Sequence, residues 1–488
     1  MSEPINWTAE RALLRMPGWR GRGRLICVNP ATEEPFAEVG SAEPDDVDRA
    51  VEEADRAYRS GVWSKLEPGD RAAVLHRFAK LIEADCKKLA LLDTLSAGKP
   101  INATYGSEIP DVAKTVRFYA EAIDKIEGQV TATGPNALHY VLRQPLGVVG
   151  AITPWNYPAL MASWKFAAAL AAGNSVVLKP SELAPLSSLW LAELFLQAGG
   201  PQGVFSVVPG LGDVAGKALA LHKKVAKIAF TGSTRTGGLI MGYAGQSNLK
   251  QVALECGGKS PQIVIGHGND LQRAAEVIAT SVFDNAGQVC NAGSRLIVDD
   301  ANHDELLERI VGLLGDWAAG DPMLEETRVG PLISADAKAR VLRYANEALE
   351  EGASCAGAAP VTMTRGYYFP STVFSGVEVG HKLAQEEVFG PVLAVMRVKD
   401  AAEAVAVANA NDYGLAAGIW TCDVAMAHAL ARDVEAGVVW VNCYDDTNMS
   451  QPFGGTKLSG HGRDKGLAAL LSYTQTKSVW VDLSKALA

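Results

Sequence analysis

The seven cysteines of this 488-residue chain form no C-x-x-C pair, and its eight histidines show no H-E-x-x-H spacing. That argues against a disulfide framework and against a zinc site, so no metal is expected and the thiols read as reduced. No apolar run approaches the ~20 residues of a membrane-spanning helix, because stretches such as "ALAAGNSVVL" are broken by Gly, Asn or Pro. The opening "MSEPINWTAERALL" lacks a leader pattern. Blocks of like charge are missing as well: 45 basic and 55 acidic residues are interspersed, for a net charge of −10, which leaves no nucleic-acid footprint. G-x-G-x-x-G is absent, and the glycine-rich "FTGSTRTGG" cannot be a Walker A loop, since Gly237 is followed by Gly238 and Leu239. A soluble, cytoplasmic protein with no membrane or nucleic-acid partner is the resulting expectation.

What is present is length and alternation. A chain of this size exceeds what one hydrophobic core sustains, so two large domains and a smaller element are expected. The first ~125 residues read as helices, for example "EPDDVDRAVEEADRAYRSGVW". From Leu146 onward short β-branched runs alternate with helical ones: "LGVVGAIT", "PALMASWKFAAALAAG", "SVVLKP", "PLSSLWLAELFLQAGG", "VFSVVPG", "AKIAFTG". This is the pattern of βαβ units and a parallel sheet. Pro158 suits a first helical turn, and Gly173 and Gly199 suit left-handed helix ends. A second α/β region begins after Gly257 with "SPQIVIG" and "SRLIVDD". Two further segments, "VTATGPNALHYVLRQP" and "YTQTKSVWVDL", alternate like strands outside both units and are candidates for an oligomerising sheet.

Several short stretches bear chemistry. Cys290 sits in "GQVCNAGSR" among small and polar residues rather than the Val, Leu or Phe of a core, which favours an accessible nucleophile over a packing residue. A polar, helix-proximal setting is expected to hold it deprotonated. Asn156 in "TPWNYP" either donates to a developing oxyanion or caps the helix that follows. Glu255 in "LECGGKSP" ends an apolar strand, where a carboxylate is either ion-paired or raised in pKa and suited to activating water. Lys179 and Glu182 in "VVLKPSE" lie just past a strand's carboxyl end, where open α/β sheets bind ligands.

The motifs "TPWNYP", "VVLKPSE", "FTGST", "LECGGKSP", "GQVCNAGSR", "EEVFGP" and "PFGGTKLSGHGRDKG" occur in the order seen in the aldehyde dehydrogenase superfamily, and the chain resembles that family over nearly its whole length. The resemblance implies an α/β fold: an NAD(P)-binding Rossmann variant with a five-stranded sheet (1–125 and 144–256), a catalytic α/β domain (257–457) and a small β element for dimer or tetramer assembly (126–143 and 468–488). It implies Cys290 as nucleophile, Asn156 with the Cys290 backbone N–H as oxyanion hole, and Glu255 as the base for deacylation. For NAD, with NADP as the alternative, it implies Ile152, Trp155, Lys179, Glu182, Gly212, Thr231, Gly232, Ser233, Glu387 and Phe389. Tyr157, Trp164, Val289, Asn291 and Phe453 match a substrate funnel. The tail "GHGRDKGLAALLSYTQTKSVW" looks most like enzymes of ω-aminoaldehydes and γ-glutamyl-γ-aminobutyraldehyde in polyamine degradation. Asp284 departs from the family at a pocket position usually aromatic, and with Asp445 or Asp446 it is a candidate for the polar end of such a substrate. A broad aliphatic or aromatic aldehyde dehydrogenase is the alternative.

Overall fold

The structure, a computed structural model, describes residues 5–484. Its first large sheet has six strands in the order 460–461, Gln251–Glu255, Val225–Thr231, Val148–Ile152, Ser175–Lys179, Phe205–Val207. Five run parallel, and the two-residue strand at 460–461 pairs antiparallel with Gln251–Glu255. Every residue of the Val148–Ile152 and Ser175–Lys179 strands is buried, which explains why they read as unbroken apolar runs rather than alternating ones. The chain leaves Val148–Ile152 first toward one edge and later toward the other. The strand order therefore reverses between Val148–Ile152 and Val225–Thr231, and such a reversal opens a crevice beyond the strands' carboxyl ends.

Helix Pro158–Ala171 begins with proline in its first turn and is buried on nearly all faces, as its Ala-rich sequence allows. Gly173 and Gly199, each with φ near +90°, end the helices preceding them. The second sheet has seven strands in the order 354–358, 372–375, 392–398, 295–299, 261–264, 416–420, 438–441, all parallel except the first. A third sheet joins Thr474–Asp482, Ala137–Pro145 and Gln129–Thr131 in antiparallel register and leaves Val130, Leu142 and Trp480 exposed. Residues 1–4 and 485–488, assigned from sequence to the first domain and to the small β element, lie outside the described residues. Among the described residues no helix is long and apolar enough to cross a membrane.

The all-helical reading of the first ~125 residues needs one correction. Gly23–Asn29 and Glu34–Ser41 form an antiparallel hairpin. Its turn is set by the Asn29 side chain, whose oxygen accepts from the Ala31 N–H at 2.9 Å, and by Glu33 at φ 61°. Apolar Ile26 on the exposed side and polar Asn29 on the buried side hide the period-two signal that would have marked the first strand.

Candidate active site

The carboxyl ends of the first sheet face the segments that lead into the second. Between them lies a cavity of about 720 Å³. Trp155 and Asn156 follow the Val148–Ile152 strand, Thr231, Gly232 and Ser233 end or follow Val225–Thr231, and Val289, Cys290 and Asn291 precede Arg295–Asp299. Glu387 and Phe389 precede Val392–Val398, and Tyr157, Trp164, Asp284, Asp445 and Phe453 are the other nominated residues that line it. Ile152, Lys179, Glu182, Gly212 and Glu255 do not line this cavity.

Cys290 packs against a buried cluster that includes Leu415, Tyr444 and Phe453. Burial pushes its thiol far up, and the carboxylates of Glu387, Glu255 and Asp445 push it further, against one bond from the Asn291 N–H. This corrects the expectation of a resting thiolate. The neighbours in sequence are polar, but the neighbours in space are apolar or anionic, and both disfavour the charged sulfur.

Asn156 does not cap the following helix, whose N-cap is Tyr157 with no side-chain bond. Its amide nitrogen instead donates to the Gln288 carbonyl at 2.9 Å, two residues before the cysteine, which leaves a second N–H on that nitrogen. Asn285 donates to the Asn156 carbonyl at 3.1 Å and the Gln288 carbonyl at 3.2 Å, while the Gln288 side chain donates to the Asn285 carbonyl and accepts from the Ile333 N–H. Asn285, Ala286 and Gly287 all have positive φ. Such a run is costly for non-glycine residues and persists only where the surroundings enforce it. A Cβ at Gly287 would lie 2.1 Å from the Gly390 carbonyl oxygen, so only glycine fits. Neither Asn285 nor Gln288 was singled out from the sequence, where they look like ordinary loop residues.

Glu255 ends its strand 5% exposed. Burial and then Asp464 hold its carboxyl well above the ordinary range, with Lys165, Arg463 and a bond from the Gly455 N–H opposing. One oxygen is buried without a partner. The group lies beside Gly454 rather than in the cavity wall.

The expected cofactor residues fit a dinucleotide. The Thr231 hydroxyl is buried and unpartnered, an orphan that a bound ligand would satisfy. Ser233 caps the thirteen-residue helix Thr234–Gln246, whose free N–H groups suit a phosphate. A Cβ on Gly212 would meet nothing within 4 Å, leaving room for close approach. Lys179 is buried, and its ammonium bonds the half-exposed Glu182 at 3.1 Å. Glu387 accepts from the Gly258 N–H at 3.0 Å, and burial raises its carboxyl to about 7. Phe389, at φ 54°, stands edge-on to Trp155 with centroids 5.4 Å apart.

On the substrate side, Trp164 and Phe453 pack at 5.3 Å, Tyr157 donates to Asp284 at 3.4 Å, and Asn291 donates to Asp445 at 3.0 Å. Asp445 and Asp446 are both exposed, and only Asp445 lines the cavity. Glu108, Lys465 and Arg340 also line it, and none carried a sequence signal.

Residues 19–479 match the model of the aldehyde dehydrogenase family. The aminoacetaldehyde dehydrogenase of Pseudomonas aeruginosa is 44% identical over 467 residues, 95% of this chain and 93% of that one. Among solved structures, the γ-glutamyl-γ-aminobutyraldehyde dehydrogenase of Burkholderia cenocepacia J2315 superposes with a TM-score of 0.95 at 44% identity, covering 98% of this chain and 99% of that one. An indole-3-acetaldehyde dehydrogenase in complex with NAD+ gives the same TM-score, identity and coverage. The chain belongs to the aldehyde dehydrogenase family, and it is an NAD(P)-dependent oxidoreductase of aldehydes.

Proposed function

We propose that the enzyme oxidises an aldehyde whose far end carries nitrogen, an ω-aminoaldehyde or a γ-glutamylaminobutyraldehyde, through a thioester on Cys290. The observation that carries the substrate reading is Asp284: its carboxylate lines the cavity that holds Cys290 and, among the described residues, is met only by the Tyr157 hydroxyl. Two relatives named for aminoacetaldehyde and γ-glutamyl-γ-aminobutyraldehyde support it. The Trp164–Phe453 pair and the relative named for indole-3-acetaldehyde favour the second reading, a broad aliphatic or aromatic aldehyde dehydrogenase.

In this reading Cys290 sulfur adds to the carbonyl carbon, and the thiol proton passes to water as the bond forms. The second N–H of Asn156 and the Cys290 backbone N–H receive the oxyanion. Bound nicotinamide supplies the acceptor for the two electrons lost as the carbon reaches the acid level. Trp155, Thr231, Gly232, Ser233, Glu387 and Phe389 hold that half of the cofactor. Lys179 and Glu182, with Ile152 and Gly212 nearby, hold the adenosine half, and the Glu182 carboxylate favours NAD over NADP by repelling a 2′-phosphate. Glu255, once ionised, takes a proton from the water that releases the acid. The exposed Val130, Leu142 and Trp480 support assembly into a dimer or tetramer through the third sheet.

Two measurements test this. Asn156→Ala removes one oxyanion donor, worth roughly 3 kcal/mol, and is expected to lower kcat about 100-fold or more with little change in KM; an unchanged kcat would remove Asn156 from the oxyanion hole. For the substrate, kcat/KM is compared for a cationic ω-aminoaldehyde and a neutral aldehyde of equal length. A unit charge ~6 Å from Asp284 at an effective dielectric of ~20 is worth roughly 3 kcal/mol, less with solvent present. Asp284→Asn should therefore cut the cation-to-neutral ratio by about 10- to 100-fold. Equal loss for both aldehydes would leave the broad-specificity reading in place.

A further inference from the structure

We propose that Lys465 binds a carboxylate at the far end of the substrate, so that the cavity takes an aldehyde ending in an amino-acid headgroup, with its ammonium toward Asp284 and its carboxylate on Lys465. This rests on the substrate reading above and selects the γ-glutamylamide type of aldehyde over a simple ω-aminoaldehyde.

A buried ammonium loses its water and needs a partner in exchange. Lys465 is 3% exposed and lines the cavity that holds Cys290. Among the described residues its ammonium has no hydrogen bond and no ion pair: the Trp164 ring centroid lies 5.5 Å away, and Asp445 and then Asp111 act on it only through space. Burial outweighs both acids and draws the ammonium below its ordinary range. A carboxylate docked on it would supply the missing partner. The other cations of the wall are already engaged. Lys114 bonds Asp111 at 2.8 Å at the surface, and Arg340 donates to the Val388 carbonyl at 3.2 Å, next to Glu387.

The backbone holds Lys465 in place at a cost. Its φ of 63° and ψ of 169° fall in a region essentially reserved for glycine, and such strain persists only where the surroundings enforce it. They do so on both sides. Asp464 exchanges two backbone bonds of 2.7 Å with Phe453, and the Gly466 N–H donates to the Met449 carbonyl at 2.7 Å. Phe453 in turn packs on Trp164, so the strained residue is fixed beside the aromatic pair of the substrate side. Glycine would relieve the strain, yet the position carries a long cationic side chain. Asp284 and Lys465 thus put opposite charges on one cavity, neither of them in an ion pair among the described residues, and that arrangement complements a zwitterion better than a cation alone.

The experiment uses γ-aminobutyraldehyde acylated on nitrogen with one of three groups: γ-glutamyl, which carries ammonium and carboxylate, γ-aminobutyryl, which carries the ammonium alone, and butyryl, which carries neither. Ratios of kcat/KM within one variant do not depend on the fraction of active protein. In the wild type the γ-glutamyl aldehyde is expected to exceed the γ-aminobutyryl one by about 10- to 100-fold, the range of one hydrogen bond between charged groups. Lys465→Met keeps the length of the side chain and should lower the γ-glutamyl-to-butyryl ratio by about that factor. The γ-aminobutyryl-to-butyryl ratio should hold or rise, because a like charge has gone. Lys465→Arg should retain most of the γ-glutamyl preference. If Lys465 only offsets the acids of the cavity, Lys465→Met leaves the γ-glutamyl-to-butyryl ratio unchanged, since that zwitterion has no net charge, and the proposal is overturned. Equal loss for both ammonium-bearing aldehydes in Lys465→Met overturns it as well. Asp284→Asn separates this subsite from the reading beneath it. If that variant leaves both ammonium-bearing aldehydes unchanged relative to the butyryl one, the substrate reading and this subsite fall together. If it weakens them while the carboxylate brings no advantage in the wild type, only the Lys465 subsite fails.

Discussion

Cys290→Ala is expected to abolish aldehyde-dependent NADH formation, with a loss of at least about 10⁴-fold in kcat, while NAD binding and thermal stability stay near wild type. The size follows from the chemistry: without a covalent adduct nothing in the cavity can carry the carbonyl carbon through the thioester, and nucleophile removals in enzymes that form such adducts have effects of this order. The side chain lost is small, and its apolar neighbours Leu415, Tyr444 and Phe453 remain packed on one another. The resting state of the thiol adds a second, independent readout. Burial and then the Glu387, Glu255 and Asp445 carboxylates keep the sulfur protonated, so alkylation of the free enzyme by a neutral reagent should be slow at pH 7 and rise about tenfold per pH unit to well above the ordinary thiol range. A resting thiolate would instead give fast, pH-independent labelling from neutral pH upward. Peptide mapping of the labelled enzyme separates Cys290 from the exposed Cys355 and Cys422. Surviving turnover in Cys290→Ala would end the assignment of the nucleophile.

The place of Cys290 on the cavity follows from the order of strands, whereas the charges around its thiol do not. The strands announce themselves because they are fully buried, and the residues at their carboxyl ends fall into the crevice by topology alone. Trp155, Asn156, Thr231, Gly232 and Ser233 could therefore be placed together from local pattern. The electrostatics of Cys290 could not. The three carboxylates that disfavour its thiolate come from positions 255, 387 and 445, and nothing near Gly287–Arg295 encodes their approach. Glu108 illustrates the same limit: its place in the cavity depends on a π turn that leaves no periodic trace in "INATYGSEIPDVAK". Asn285 and Gln288 were hidden for a different reason, since their bonds run to backbone groups at positions 156 and 333. The Gly23–Ser41 hairpin was hidden by the helical segments after it and by an apolar Ile26 outside and a polar Asn29 inside.

Glu255→Gln should separate the two halves of the reaction. The substitution keeps size and shape, keeps an oxygen for the Gly455 N–H, and removes only the capacity to become a carboxylate base. If Glu255 is the base, the water-attacking step needs the ionised form of a group whose carboxyl burial and then Asp464 raise well above the usual carboxylate range. Its rate is then expected to rise with pH beyond that range and to level off once Glu255 has ionised. In Glu255→Gln that rising limb should disappear, and steady-state turnover should fall by about 10²- to 10⁴-fold, the ordinary contribution of a positioned general base. Mixing the variant with NAD and aldehyde should still give a rapid burst of NADH approaching one equivalent per active site, followed by a stall. Quenched samples should then carry the acyl group on Cys290, and hydroxylamine should release it. A second outcome is informative because Glu255 is among the carboxylates that act on the Cys290 thiol. If the burst itself is slow and restored by raising the pH, Glu255 also takes the thiol proton during attack. If neither a slowed burst nor a trapped thioester is seen and the pH limb persists, the base lies elsewhere, and Glu387, with its carboxyl raised to about 7 beside the same cysteine, becomes the residue to substitute next.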